Sequence, residues 1–395
     1  MSLLTTDHTI KEKLKHGCAV RGTGIHGAKC AWMLRRYGID IRYFISKNGG
    51  GVETFRGKQI YRENVEGLYI LVATSPEVYW LVSDELRNEG KREFEDFAYY
   101  EWLFKDVVLL HGNCHMEIIR KFLLSSSAFR DRFAIYPYPL LVSATKQFRT
   151  EPEIFRHIDV WIHQDIRRNN QFGYKVSDEY IRSNVSPEIR EIIIPHLYGI
   201  GKMLFPQSIS LDGNEAINDG LDGDGLFLHG DKVIEKAIGR GMKMDEMIEY
   251  CKSDNVISEE EIKDNFFAGM TKLQEREKLW DIPIYDFIKD NYQEEKLFYD
   301  DGHPTNFVMK RIAEEILKRL QIYDLQIYCD SKMDLNEKCV YPVVKKVLGL
   351  RWEDKEIRVM GKKLAEHMDF EEYIREYCWW RHGDKYMEMG VGELL

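Results

Sequence analysis

Four consecutive apolar residues, Val107-Val108-Leu109-Leu110, run directly into His111-Gly112-Asn113-Cys114-His115. No other feature constrains the fold of this 395-residue chain so tightly. A continuous apolar run this short suits a strand buried on both faces of a parallel sheet. Met116, Ile119 and Leu123 then recur at helical spacing on one face. A strand, a tight turn and a helix place the turn residues at the carboxyl edge of the sheet, where open α/β sheets bind ligands. Gly112 permits the backbone conformation such a turn needs. Cys114 falls at the helix N-terminus, where the dipole favours an anionic sulfur and backbone N–H groups can hold an oxyanion or a phosphate. Asn113 offers a side-chain donor beside it. The competing reading is that Cys114 only fills a crowded turn as a small residue.

The same grammar occurs earlier in the chain. Ala19-Val20 leads into Gly22-Thr23-Gly24-Ile25-His26-Gly27, and a helical pattern follows through Cys30, Met33, Leu34 and Tyr37. A strand is expected over Ile39 to Ile45, a glycine turn at Gly49 to Gly51, a strand over Leu68 to Ala73 and a helix near Val78 to Glu89. Gly22-x-Gly24-x-x-Gly27 matches the dinucleotide fingerprint, which makes Gly22, Gly24 and Gly27 candidate cofactor-binding residues. A nicotinamide site also wants a carboxylate at the end of the second strand. That strand ends in Ile45-Ser46-Lys47-Asn48, so a dehydrogenase is disfavoured. A sugar-nucleotide or scaffold role fits better, and in the scaffold case the glycines serve helix–strand packing alone.

Further strands are expected over Asp159 to His163 and Glu191 to Ile194. Gln207 to Gly230, rich in Gly, Asp and Asn, is long for a loop in a compact domain, and such loops usually carry function. Val233 to Asn291 reads as mostly helical. Asp300-Asp301-Gly302-His303-Pro304 is a turn before an amphipathic helix over Phe307 to Leu320. A histidine near its ordinary pKa can act as a general base at neutral pH, which makes His303 a candidate. Asp300 or Asp301 would orient its ring, and Pro304 would start the helix. The competing reading is that both aspartates only cap that helix. The charged stretch from Gln321 to Leu395 is partly helical, with Trp379, Trp380 and His382 read as a core patch in preference to an interface.

The formal net charge of -10 excludes a general basic footprint for nucleic acid. No apolar run approaches the roughly 18 residues of a membrane span, and residues 1–15 lack a signal-peptide core, so a cytoplasmic protein is expected. The seven cysteines form no metal-ligand spacing and are expected as free thiols. Asp222-Gly223-Asp224-Gly225 lacks the closing ligands of a calcium loop. His163, His196 and His229 lack the paired spacing of a zinc helix, so no metal is expected.

The two turns, His111-Gly112-Asn113-Cys114-His115 and Leu297-Phe298-Tyr299-Asp300-Asp301-Gly302-His303-Pro304-Thr305, resemble those of the WcbI family of capsular polysaccharide biosynthesis acetyltransferases. That family is similar in architecture to SGNH hydrolases, with Cys in place of the nucleophilic Ser. Asp159-Val160-Trp161-Ile162-His163-Gln164, and Ile194-Pro195-His196-Leu197-Tyr198 through Phe205-Pro206, also resemble family segments. The resemblance covers about residues 105–320. It implies coenzyme A or acetyl-CoA as co-substrate and acyl transfer to a hydroxyl of a sugar or polysaccharide precursor. It implies Cys114, His303 and Asp300 as the catalytic group. Asn113, Gln164 and the Cys114 amide become oxyanion candidates. Arg167 and His196 follow strands of the same domain and are read as lining the site with His115, with Gly112 beside the cofactor. The glycine oxyanion block of SGNH enzymes has no clear counterpart here.

The fold class expected is α/β: a Rossmann-like domain over 1–104, an SGNH-like three-layer α/β/α domain with a parallel sheet over 105–322, and a mainly helical extension over 323–395. A homo-oligomer is compatible with this composition. Two rival functions share the same residues. One is an esterase, deacetylase or thioesterase with water as acceptor, and the other is a non-catalytic protein binding CoA or a sugar nucleotide.

Overall fold

The computed structural model describes residues 4, 7–47, 53–65, 67–137, 152–209, 230–329, 337–353, 357–360 and 365–386. The chain divides into two compact units, 1–194 with 317–326, and 195–316 with 327–395. It is a mixed α/β protein with parallel sheets, as its strand patterns predict. The glycine turn at 49–51 and the acidic glycine run at 222–225 lie outside the described residues.

The first unit carries two sheets. Strands β1 (Cys18–Arg21), β2 (Ile41–Ile45), β3 (Thr54–Phe55), β4 (Lys58–Tyr61), β5 (Tyr69–Val72) and β6 (Phe97–Tyr99) form the first, in the order β3-β4-β2-β1-β5-β6. All pairs are parallel except β3 with β4. Helix α1 (Ile25–Arg36) follows β1, and helix α2 (Pro76–Asn88) follows β5, with Pro76 at its first turn. That proline suits the position because the N–H it lacks would have no partner within the helix.

Strands β7 (Asp106–His111), β8 (Phe133–Tyr136), β9 (Val160–His163) and β10 (Arg190–Ile193) form the second sheet, in the order β10-β9-β7-β8, all parallel. Helix α3 (His115–Ser125) follows β7. Val107, Val108 and Leu109 of β7 are fully buried, each worth about 1.5–3 kcal/mol of apolar burial. Buried side chains from both sheets, among them Val20, Leu71, Leu109 and Trp161, form one continuous core with Trp102 of the 3-10 turn after β6.

Each sheet reverses its winding direction once. In the first, the chain leaves β1 toward β2 and returns to place β5 on the other flank of β1. In the second, it leaves β7 toward β8 and returns to place β9 on the other flank of β7. Crevices open at the carboxyl ends of the strands at such reversals. The Gly112–Cys114 turn stands at the second reversal.

The second unit holds the hairpin of β11 (Ser208–Ile209) and β12 (Gly230–Asp231), helix α4 (Glu259–Glu277), most of helix α5 (Asn306–Arg319), the hairpin of β13 (Ile357–Met360) and β14 (Ala365–Met368), and helix α6 (Phe370–Tyr386). Gly269 lets α4 come close to the 3-10 turn Gly201–Leu204, since a Cβ there would lie 2.5 Å from that of Met203. On α6 the core patch is smaller than expected. Tyr377 and Cys378 are buried with Tyr373 and Ile374, but Trp379 is 53% exposed. Successive residues of a helix diverge by about 100°, which carries Trp379 off the buried face. The side chains of Trp380 and His382 lie outside the described residues. No described helix is long and apolar enough to cross a membrane.

The fingerprint glycines divide by role. Gly22 has φ +133°, and a Cβ there would meet the Ala73 carbonyl oxygen at 2.2 Å. A Cβ on Gly27 would meet the Gly22 carbonyl oxygen, also at 2.2 Å. Both positions exclude a side chain for packing reasons within the sheet and its first helix. A Cβ on Gly24 would meet nothing within 4 Å, so this glycine alone of the three faces open space. Gly22→Ala is expected to destabilise the protein by at least about 2 kcal/mol, from backbone strain and overlap together. Gly24→Ala is expected to stay within about 1 kcal/mol of wild type, as read by denaturant midpoints of the two variants.

Candidate active site

In the first unit, β7 and β9 pair in register through Leu110 with Ile162 and His111 with His163. Their ends therefore lie side by side. The Gln164 amide donates to the His111 carbonyl oxygen at 3.1 Å, which extends the pairing by one bond. The Gln164 side chain, buried, turns back across the sheet edge. Its Oε1 accepts the Asn113 backbone N–H at 2.9 Å, and its Nε2 lies 3.3 Å from Nδ1 of His115. A Cβ on Gly112 would meet that Oε1 at 2.6 Å and Met116 Cγ at 2.8 Å. Gly112 is thus required by the approach of Gln164.

Cys114 is the N-cap of α3 and half-buried. The Asn113 side chain caps the turn instead, its Oδ1 accepting the His115 N–H at 3.0 Å. A ring nitrogen of the buried His115 lies within 4.8 Å of the Cys114 sulfur. Gly112, Asn113, Cys114, His115 and Gln164 therefore stand together, although Gln164 is remote from the other four in sequence. The Gln164 side chain and the Asn113 side-chain carbonyl hold the turn in shape. Arg167 does not join them. Its side chain is 78% exposed, its Nε lies 4.0 Å from Asp165, and among the described residues it makes no ion pair or hydrogen bond to the turn.

Beneath the turn lies a layer of charge that local sequence signals do not reveal. Trp161 stacks on His163 at 3.7 Å between ring centroids, with His111 6.3 Å away on a similar plane. His163 Nε2 lies 2.9 Å from Glu191 Oε1, and Nδ1 lies 2.9 Å from the Gln164 carbonyl oxygen and 3.3 Å from Asp178 Oδ1. Burial works against charge on this ring, but the two carboxylates outweigh it and carry the His163 pKa up to about 9. His111, buried next to it, is pushed down to about 3 by burial and by the neighbouring His163 charge. Asp178 also accepts the Ile166 N–H at 2.9 Å, and Arg182 pairs with Glu191. Charged His163 and neutral His111 thus flank one tryptophan.

In the second unit, Asp300-Asp301-Gly302-His303 forms a closed turn. The Tyr299 N–H donates to the His303 carbonyl oxygen at 2.8 Å, and the Thr305 N–H donates to that of Leu297 at 2.9 Å. Asp300 is buried and accepts the Gly302 and His303 backbone N–H groups, each at 2.8 Å. Both its oxygens lie against His303 Nδ1, at 2.9 and 2.8 Å. Burial would raise the Asp300 pKa, yet the hydrogen bonds from His303 and from these amides hold it below the usual value. The other carboxylate is committed elsewhere. Asp301 accepts from Ser208 Oγ and lies 3.1 Å from Nζ of the buried Lys338. Asp300 is therefore the orienting carboxylate, and the Nδ1 contact turns Nε2 of His303 away from it.

His196 lies on the segment that packs against this turn. The Tyr198 ring is 6.5 Å from the His196 ring, and a Cβ on Gly302 would meet Tyr198 at 2.7 Å. A Cβ on Gly201 would strike the Asp300 carbonyl oxygen at 2.2 Å. Arg276 donates to the His196 and Tyr198 carbonyl oxygens at 3.1 and 2.9 Å. His229 lies outside the described residues.

One family model, that of the polysaccharide biosynthesis enzyme WcbI, matches residues 107–325, more than half of the chain and both turns. The chain belongs to the WcbI family. A solved structure of WcbI, described as a novel polysaccharide biosynthesis enzyme in its native form without a disulfide bond between coenzyme A and a cysteine, has the same fold. It is 17% identical, with a TM-score of 0.57, and the match covers 73% of this chain and 93% of that one. No curated protein matches the chain in sequence. Family membership makes this chain a polysaccharide biosynthesis enzyme.

The two buried histidines set opposite pH limits. The raised pKa of His163 adds stability that is complete below about pH 6.5 and is lost as pH rises through about 9. The depressed pKa of His111 adds stability that is complete above about pH 6.5 and is lost as pH falls toward 3. Stability should therefore peak near neutral pH, with an alkaline loss of up to about 3 kcal/mol. Urea denaturation between pH 5 and pH 9.5 checks this, and His163→Gln is expected to remove the alkaline limb and leave a weaker acid one, since burial still lowers the His111 pKa once the His163 charge is gone.

Proposed function

We propose that the chain is an acyl-CoA-dependent O-acyltransferase that acetylates or otherwise acylates a sugar hydroxyl, with Cys114, His303 and Asp300 as its reacting group. The observation that carries this reading is the pairing of His303 Nδ1 with both oxygens of buried Asp300. That bond leaves Nε2 as the ring's proton-accepting position, the arrangement a general base requires. Cys114 supplies the complementary half, a thiol at the N-terminus of α3 on a sheet reversal. A single family model covers both turns, which supports their acting on one substrate. The WcbI structure is described in terms of coenzyme A and a cysteine, which supports a CoA thioester as donor and Cys114 as the thiol facing it.

In this mechanism the Cys114 sulfur attacks the thioester carbonyl carbon and its proton passes to His303. The carbon–sulfur bond to CoA breaks, and the departing thiolate takes the proton back from His303. The acyl group now rests on Cys114. The acceptor hydroxyl then loses its proton to His303 while its oxygen attacks the acyl carbon, and Cys114 leaves as thiolate and is reprotonated. A variant in which His303 activates the hydroxyl for direct attack on acyl-CoA uses the same dyad. In either route, Gln164 acts by holding the turn and the His115 ring, with an SGNH-like domain as the frame.

Peptide mass spectrometry after brief incubation with acetyl-CoA separates the routes. An acetyl group on the peptide bearing Cys114, absent from Cys114→Ala, is the expected result. Release of CoA without an adduct or an acylated sugar would instead indicate a thioesterase. With an acceptor present, His303→Ala is expected to lower kcat by roughly 10²–10⁴-fold. Asp300→Asn should lower kcat with little change in KM, because it alters ring orientation and leaves substrate contacts intact.

A further inference from the structure

The first unit contains a cavity of about 810 Å³ that the reacting residues do not use. Its size falls in the range of about 300–1,000 Å³ typical of small-molecule sites. His26, near the start of α1, and Pro76, the first residue of α2, both line it. These helices follow β1 and β5, the two strands at which the first sheet reverses. The cavity reaches the start of both helices and runs along α1 to its last residue, Arg36. Ten of its lining residues precede the family-matched segment 107–325, and twelve fall within it.

The lining has a distinct chemistry. One wall is a single face of α1, His26, Lys29, Met33 and Arg36, with Trp32 beside it. Trp80 and Tyr136 add further aromatic surface, and Leu110, Met116 and Leu124 make an apolar floor. Five cationic side chains meet three acidic ones, a local excess of positive charge in a chain of net charge -10. The acids are not evenly shared. Glu101 binds both Lys29, at 2.5 Å, and Lys105, at 2.9 Å, while Glu117 holds Arg120 through two contacts of 2.9 and 2.8 Å. Arg36 and Arg130 meet no carboxylate within 4.0 Å among the described residues. Arg36 lies 4.8 Å above the Trp32 ring, and Arg130 donates to the Leu124 carbonyl oxygen. Both arginines are exposed at the surface.

We propose that this cavity binds a nucleoside diphosphate, with Arg36 and Arg130 on the phosphates and the Trp32 and Trp80 rings against the base or an attached sugar. Guanidinium groups match phosphate oxygens two at a time, and two arginines suit a ligand that carries two phosphates. Aromatic faces suit a planar base. Inorganic phosphate would leave the aromatic wall uncovered, and a plain acyl chain would leave both arginines unmatched. A nucleoside diphosphate can come from a nucleotide-activated sugar or from coenzyme A. The link to an acceptor sugar rests on the acyl-transfer reading, whereas the nucleotide site itself does not.

Isothermal titration calorimetry on the full chain with UDP, ADP, coenzyme A and inorganic phosphate tests the proposal. UDP or ADP is expected to bind, and Arg36→Glu and Arg130→Glu should each weaken binding at least tenfold. Both positions are exposed, so the folded state should survive, as circular dichroism would verify. Tighter binding of UDP than of coenzyme A would identify a nucleotide-activated sugar as the source. Tighter binding of coenzyme A, weakened by the same two variants, would identify the donor's own nucleotide. The proposal is overturned if neither UDP nor ADP binds at millimolar concentration, if only phosphate binds, or if both variants bind as wild type. Acetylation of Cys114 is read on unaltered protein, so failure of that result and failure of this one are told apart.

Discussion

The side chain of Gln164 ties the ends of two neighbouring strands together, and the geometry of the Cys114 turn depends on it. Its oxygen takes the Asn113 N–H, and its nitrogen meets the His115 ring. Gly112 has no side chain because this oxygen occupies the space. A buried amide satisfied at both ends is stiff, since releasing either bond would strand a polar group away from water. The thiol at the head of α3 is thereby set by a contact across the sheet as well as by its own turn.

That clamp stands on a charged layer. Gln164 follows His163, whose ring is held between Asp178 and Glu191 and stacked on Trp161. Burying a cation is costly unless it is paired, and here two carboxylates and a backbone carbonyl surround it. His111 ends the adjacent strand and stays neutral because burial disfavours its charge and the His163 cation repels a second one. A polar layer of this kind, directly under the turn, specifies one arrangement of β7 against β9, where an all-apolar layer would tolerate small shifts. The second unit solves a similar problem in miniature. Asp300 accepts two backbone amides before it meets the His303 ring, so its carboxylate is fixed before it orients anything.

The first sheet repeats the plan of the second with different contents. Both reverse at their first strand, and both follow that strand with a glycine-bearing turn and a helix. In the second sheet the turn presents a thiol. In the first, two of the three glycines are consumed by close packing, and α1 lines a cavity with a cationic, aromatic face from His26 to Arg36.

Much of this was legible in the chain itself. The run Val107 to Leu110 and the glycine after it specify a buried strand and a sharp turn, and apolar spacing specifies α3. The same holds for β1, α1, β5 and α2. The placement of Cys114 at a helix N-terminus follows from these, because strand, turn and helix signals are local and repeat with the period of the backbone. Local spacing left Asp300 and Asp301 open, and only the family resemblance pointed to Asp300. The two are adjacent and chemically identical, and the choice is made by Lys338 and Ser208, which take Asp301 from distant parts of the chain. Nor could the sequence show that Gln164 would serve as a clamp, that Asp178 would face His163, or that Trp379 would lie outside the core. These depend on which side chains meet across tens of residues of separation, and no local period records such meetings. Sequence alone determined which residues stand at the ends of the strands; only the tertiary structure decided which of them touch, because contact is a matter of packing in space.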